Sequence, residues 1–189
     1  MKNGEAITGD LVVAGIGAVP EIALAEAASL DIENGVSVNA FLQTSDPDIY
    51  AVGDCCSFPH PLYEKQRIRL EMWRCARDQA ECAVQNLLGK TKEFSAVPWF
   101  WSDQFEISLQ VVGLPFFAKR VIPRTRPDGV TIYFGLNDQK RLVSAAGIGV
   151  GNSVAKDIRL AEMLIAAQKT MNPAELSDPN LNLKKLLKN

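Results

Sequence analysis

Beyond a stretch without periodicity, KTKEFSAVP at residues 90–98, four runs rich in β-branched and aromatic residues follow one another closely: FEISLQVVGL, FFAKRVIPRT, VTIYFGLN and RLVSAAGIGV. Asp128-Gly129 and Asn137-Asp138 stand at two of the joints. Such pairs accept the left-handed backbone angles that a tight reversal needs, so successive runs should fold back as hairpins. The second half is therefore predicted to be a mostly antiparallel sheet. From Ser153 to about Thr170 apolar residues recur at helical spacing and should form a helix covering that sheet. The Lys-rich end from Asn172 has proline breaks and little periodicity.

The first half reads differently. Asp10 to Ile16, DLVVAGI, is a short β-branched run of the kind buried in parallel sheets, with Gly15 and Gly17 bracketing a turn. Pro20 followed by EIALAEAASL predicts a helix start. Asn34-Gly35 marks a turn, and Ile49 to Val52 predicts a second strand running into Gly53 and Asp54. Arg69 to about Leu88 has apolar positions at helical spacing and stops at Gly89. The expected fold class is an α/β first half, part of a Rossmann-like domain, followed by an α+β domain with an antiparallel sheet. The boundary is expected between Ala96 and Trp99.

Composition narrows the function classes. With 189 residues, 47% hydrophobic and 22% charged, the chain can bury a core as an ordinary globular protein does. Its formal charge of -2 argues against general nucleic-acid binding. No apolar run approaches the roughly 20 residues of a membrane helix, and MKNGEAITGD lacks a signal peptide's apolar core, so a cytoplasmic location is expected. The four cysteines, Cys55, Cys56, Cys75 and Cys82, form no CxxC pair and His60 is the single histidine, so a metal site is not expected. The thiols are read as reduced and structural.

The residues that carry chemistry centre on TSDPDIYAVGD, Thr44 to Asp54, where a strand ends in a Gly-Asp pair. In doubly wound folds ligands bind at that end. Gly53 lets a ligand approach the backbone, and the Asp54 carboxylate can accept hydrogen bonds from hydroxyls, so the residues alone point to a polyol site. His60, in FPHP directly after this motif, is read as structural. GIGVGNS at 147–153 has glycines at the wrong spacing for a phosphate loop and is read as a tight turn with a helix cap.

TSDPDIYAVGD resembles the second flavin fingerprint of the FAD-dependent pyridine-nucleotide oxidoreductases, whose aspartate holds the ribityl-pyrophosphate region of FAD. DLVVAGIGAVPE is similar to that family's Gly-x-Gly-x-x-Pro crossover from the NAD domain back to the FAD domain. FPHPLYEKQRIRLEMW, from Phe58, and AVPWFWSDQFEISLQVVGL, from Ala96, resemble the branch that reduces [2Fe-2S] ferredoxins in aromatic-ring dioxygenase and P450 systems. The resemblance implies FAD and NAD(H) as cofactors of an NADH:ferredoxin reductase. It implies Gly53, Asp54, the Met72-Trp73 backbone and Trp101 at the FAD, and Gly15, Ile16, Gly17 and Glu71 at the nicotinamide. Residues 1–18 would end an NAD-binding domain, 19–96 would complete an FAD-binding domain, and 97–189 would be the C-terminal, interface-like reductase domain.

Neither GxGxxG unit that such an enzyme needs is present, so the resemblance makes this the C-terminal part of a reductase, to be completed by an N-terminal FAD- and NAD-binding portion. The chain alone is expected to bind FAD weakly, to lack reductase activity, and to associate or stay partly disordered through unpaired strand edges. A homodimer is a further expectation. Lys65 to Arg77 holds five basic residues against one acidic, and Phe116 to Pro127 four against none. These runs, with Arg120 and Arg124, are the expected docking patches for an acidic ferredoxin. Two alternatives stay open: a non-enzymatic interaction or dimerisation module, and part of an NADH oxidase or disulfide reductase.

Overall fold

The computed structural model describes residue 4 and residues 6–187. In the first half a short helix α1 (Ala23–Ala27) leads into strands β1 (Val36–Ser37), β2 (Cys56–Pro59) and β3 (Arg67–Arg69), and then helix α2 (Trp73–Leu87). β1 and β2 run parallel, and β3 pairs antiparallel with β2. The second half holds β4 (Trp99–Gln104), β5 (Ile107–Gly113), β6 (Arg120–Thr125), β7 (Thr131–Leu136) and β8 (Leu142–Val150). Helices α3 (Ala155–Ala166), α4 (Pro173–Ser177) and α5 (Leu183–Leu186) follow. All four pairings in this sheet, ordered β4-β5-β8-β7-β6, are antiparallel. The expected fold class is found: a mixed α/β first half and a C-terminal antiparallel sheet.

Helix α3 covers one face of the five-stranded sheet because its apolar residues recur on one side. Ile158, Ala161, Leu164 and Ile165 are buried against Val112, Ile132, Phe134 and Ala145. Each buried Leu or Ile there contributes about 2 kcal/mol relative to exposure. Among the described residues no α-helix covers the opposite face, and Phe100, Val121, Tyr133, Ile148 and Val150 stay exposed. Gly113 sits at φ 72° where β5 meets β8; a Cβ there would lie 2.1 Å from the Val143 carbonyl oxygen, which leaves room for glycine alone.

A second core lies under the first half, with Leu42, Phe58, Tyr63, Ile68, Cys75, Cys82 and Phe94 joined by Leu114 and Val143 from the C-terminal sheet. The Tyr63 hydroxyl donates to the Val143 carbonyl at 3.1 Å, and the Tyr63 ring stacks on Phe117 at 4.7 Å. Helix α2 ends as its glycine predicts. The Gly89 amide donates to Asn86 and the Lys90 amide to Gln85, the paired closure that a left-handed residue at φ 84° makes possible.

Several expectations fail, each for a local reason. Asp10–Ile16 is not a strand: Leu11, Val12, Val13 and Ile16 are exposed and the backbone joins no ladder. A buried parallel strand exists only between neighbours, and no described strand lies beside it. Ile49–Val52 is not a strand either. Tyr50 makes one isolated bridge to Gln43, and the Thr44 amide donates to the Ile49 carbonyl, closing a tight loop instead. The helix expected from Arg69 begins at Trp73, because Arg69 is held in β3 opposite Ser57. β4 was not anticipated. Asn172 and Asn182 cap two short helices in the tail, each side chain accepting from the amide two residues on. The turn after β8 has no side-chain cap; Val154 occupies the N-cap of α3.

Candidate functional site

The Gly53-Asp54 pair lies against the first turns of α2. Gly53 has φ 80°, and its amide donates to the Gln79 side-chain oxygen at 2.7 Å. Gln79 is fully buried in the stripe that faces the core with Cys75, Cys82 and Asn86, and its Nε2 has no hydrogen-bond partner among the described residues. Asp54 itself is exposed, while its backbone oxygen accepts from Arg69 at 2.9 Å. The same guanidinium nitrogen pairs with Glu71 at 2.8 Å, so Arg69 ties the Gly-Asp turn to Glu71. Burial, with Asp78 and then Asp54 adding to it, pushes the Cys75 thiol up to about 12.

Met72 precedes α2 with extended backbone, and no side chain caps the helix. The first amides of this helix are donors without intrahelical partners, and the helix dipole adds partial positive charge there. Trp73 opens α2 with 67% of its surface exposed; Trp101, reaching across from β4, is 39% exposed. Their ring centroids are 6.4 Å apart, edge to face. Trp99 stacks on Trp101 at 5.0 Å with 26° between the planes, and Arg74 lies over Trp99. Two chain halves thus build one indole shelf at the N-terminus of α2.

Of the residues singled out in the sequence, Gly53, Asp54, Met72, Trp73 and Trp101 collect around the start of α2, and Glu71 joins them through Arg69. Gly15, Ile16 and Gly17 do not; they lie in the exposed N-terminal stretch, and the space around Gly15 and Gly17 is open. Arg69, Gln79 and Arg74 were missed. For Gln79 a signal existed, a polar residue inside the apolar stripe of its helix, whereas Arg69 and Arg74 each have, besides a near acid, a decisive partner from distant sequence, the Asp54 carbonyl and Glu162.

The basic docking patches are largely spent on internal pairs. Arg124 is 5% exposed, and its guanidinium donates to the carbonyls of Leu176, Pro179 and Leu181. It is a tail anchor and no docking residue, which corrects that expectation. Arg67 pairs with Glu33, Arg77 with Asp78, and Arg126 with Asp128 and Asp157. Lys119 and Arg120 are exposed.

His60 is fully buried. Its Nδ1 accepts from the Leu62 amide at 3.3 Å while Nε2–H donates to the Ala96 carbonyl at 3.0 Å, fixing the segment that leads into β4. Burial lowers its pKa to about 4, so the ring is neutral and structural, as read from the sequence. Cys56, pushed up to about 12 by burial, is no ready nucleophile. Two larger hollows lie elsewhere. One of about 340 Å³ runs between Tyr63, Phe116, Phe117 and Asp138, and one of about 480 Å³ between Arg126, Lys156 and Asn180. Neither includes a residue of the indole shelf.

Comparison with known proteins fits this arrangement. Residues 1–80 match the family described as pyridine nucleotide-disulphide oxidoreductase, and residues 99–187 match the reductase C-terminal family. The chain is 38% identical over 179 residues to the ferredoxin–NAD(+) reductase component of an anthranilate 1,2-dioxygenase system from Burkholderia cepacia, covering 94% of this chain and 43% of that protein. A ferredoxin reductase structure from Rhodopseudomonas palustris superposes with a TM-score of 0.88 at 32% identity, over 98% of this chain and 45% of that one. The covalent putidaredoxin reductase–putidaredoxin complex matches with a TM-score of 0.87 at 34% identity, over 99% and 44%. The chain therefore spans less than half the length of these relatives. No described helix is long and apolar enough to cross a membrane. The first part of the chain thus belongs to the pyridine nucleotide-disulphide oxidoreductase family and the second to the reductase C-terminal family, and over nearly its whole length the chain is similar to ferredoxin–NAD(+) reductases.

Proposed function

We propose that this chain supplies one edge of the FAD site in an NADH:ferredoxin reductase that passes electrons to a [2Fe-2S] ferredoxin, and acts in the cytoplasm. The observation that carries the reading is the convergence of Gly53-Asp54, the uncapped start of α2, and the Trp73–Trp101 pair at 6.4 Å. The donor set suits FAD. Asp54 would accept from ribityl hydroxyls, Gly53 would admit the chain of the ligand close to the backbone, and the amides following Met72 would donate to the electronegative edge of the flavin ring. Trp73 and Trp101 would cover the ring and keep water out. The unpartnered Nε2 of Gln79 is a further donor beside Gly53. FAD supplies the conversion between a two-electron donor and single electrons, which no side chain here performs.

In this reading Glu71 and Gly15, Ile16 and Gly17 face the nicotinamide, and the chain divides as residues 1–18, 19–96 and 97–189. The exposed run Leu11, Val12, Val13 and Ile16 supports completion by an N-terminal FAD- and NAD-binding portion, since a β-branched segment of this kind belongs inside a sheet. An acidic ferredoxin would meet Lys119 and Arg120, with steering by charge and not Arg124. A second reading, an interaction or homodimerisation module, draws on the uncovered apolar face of the C-terminal sheet around Phe100, Tyr133 and Ile148.

Titration of the purified chain with FAD, followed by flavin fluorescence, tests the first reading. Saturating quenching in the micromolar range, abolished in Trp101→Ala, is expected. No quenching up to high micromolar FAD would leave the interaction module as the better reading.

A further inference from the structure

We propose that Arg74, held by Glu162, is the positioning residue of the indole shelf: its guanidinium fixes the plane of Trp99, and through Trp99 that of Trp101. For what the shelf serves, this rests on the flavin reading above; for its geometry it does not. Arg74 is the second residue of α2, and its guanidinium lies 5.6 Å from the centroid of the Trp99 ring. One of its nitrogens meets the Glu162 carboxylate of α3 at 2.5 Å, and its Nε lies 3.5 Å from Asp78. Glu162 is 7% exposed, and its other oxygen is paired with Arg159. A carboxylate so far removed from water holds its partners firmly, because losing one would leave buried charge uncompensated.

The geometry runs in one direction. α3 is fixed on the sheet by its apolar side; Glu162 fixes Arg74; the Arg74 guanidinium, a planar group, lies over the indole, where a lysine ammonium would act only as a point charge. Trp99 is thus held on its ring by Arg74 and stacked on Trp101, and Trp101 is the member that reaches the edge of Trp73. Trp101 is 39% exposed, with its ring in contact with Trp99 on its face and Trp73 at its edge, and the stacked face is the contact that sets its plane. Among the described residues, the polar partners of Arg74 are Glu162 and Asp78, and neither belongs to the Gly-Asp turn. It acts through Trp99.

The test uses far-ultraviolet circular dichroism of the chain without flavin in a W73F background, where Trp99 and Trp101 are the two tryptophans left and their stacked indoles give an exciton couplet. W101F should abolish that couplet; a couplet surviving in W101F would contradict the stack itself and overturn the proposal. R74A is expected to retain less than half the couplet amplitude while the chain still unfolds cooperatively, and R74K, which keeps the ion pair but not the planar face, to lie between the two. A folded R74A with the full couplet would overturn the proposal. Should R74A fail to fold, R74K decides, because it keeps Glu162 paired: an unchanged couplet there rules out positioning by the guanidinium plane. Failure of FAD to bind would leave these outcomes as they are, so the two ideas fall separately.

Discussion

Lowering the pH from 7 to 5 should weaken this fold through a single side chain. His60 is the only histidine, fully buried, with both ring nitrogens engaged as a neutral tautomer. Burial lowers its pKa from 6.5 to about 4. Between those values the unfolded chain binds a proton that the folded chain refuses, so stability rises with pH across the window. The contribution is fully present above about pH 6.5, lost as pH falls toward 4, and exhausted below. At about 1.4 kcal/mol per tenfold change in proton affinity, the whole effect is roughly 3 kcal/mol, of which about 2 kcal/mol is gone by pH 5. With a urea slope of about 2 kcal/mol per molar, the unfolding midpoint should fall by about 1 M between pH 7 and pH 5. His60→Gln, which keeps an amide N–H for the Ala96 carbonyl but cannot take up a proton, should be less stable at pH 7 and flat across the same window. A wild-type midpoint that does not move between pH 7 and pH 5 would refute the reasoning.

Arg124→Ala should cost about 3 kcal/mol in urea denaturation, since three backbone carbonyls lose a charged donor in a buried place, whereas Arg120→Glu should change stability by less than about 0.5 kcal/mol. Gly53→Ala is expected to cost about 1 kcal/mol from its φ of 80° alone, because the nearest atom to the new Cβ, at 3.6 Å, is in ordinary contact. Gly113→Ala meets a backbone oxygen instead and should yield little folded protein on expression. Cys56 and Cys75, both pushed up to about 12, should stay unmodified by a thiol reagent at pH 8 until urea unfolds the chain; rapid labelling of either in the folded state would contradict their burial.

The sequence was most informative where structure is local. β5 to β8 follow directly from alternation and turn residues, and the end of α2 from Gly89, because each depends on neighbours a few positions away. Asp10–Ile16 looked like a strand by the same criteria and is not one, since a parallel strand is made by what lies beside it. β4 was hidden for the opposite reason: WFWSDQ has large side chains on both faces, Phe100 outward and Trp99 toward α2, so no alternation is visible. At the candidate site, Gly53 and Asp54 were singled out through resemblance to a flavin fingerprint, and Met72, Trp73 and Trp101 through the resemblance of two further stretches to the ferredoxin-reducing branch. Charge was not: the basic run from Lys65 to Arg77 carries no mark of which acids, 33 or 162 among them, will face it.

The guanidinium of Arg124 has a consequence for the far end of the chain. Because it is solvated by the carbonyls of Leu176, Pro179 and Leu181 and not by water, the tail serves β6 as a substitute hydration shell. Trimming the chain after α3, as a protease or a careless choice of expression boundary would, strands a cation inside the sheet's covered face. The tail reads as a loose appendix in sequence, yet it is among the last places where this protein can be shortened.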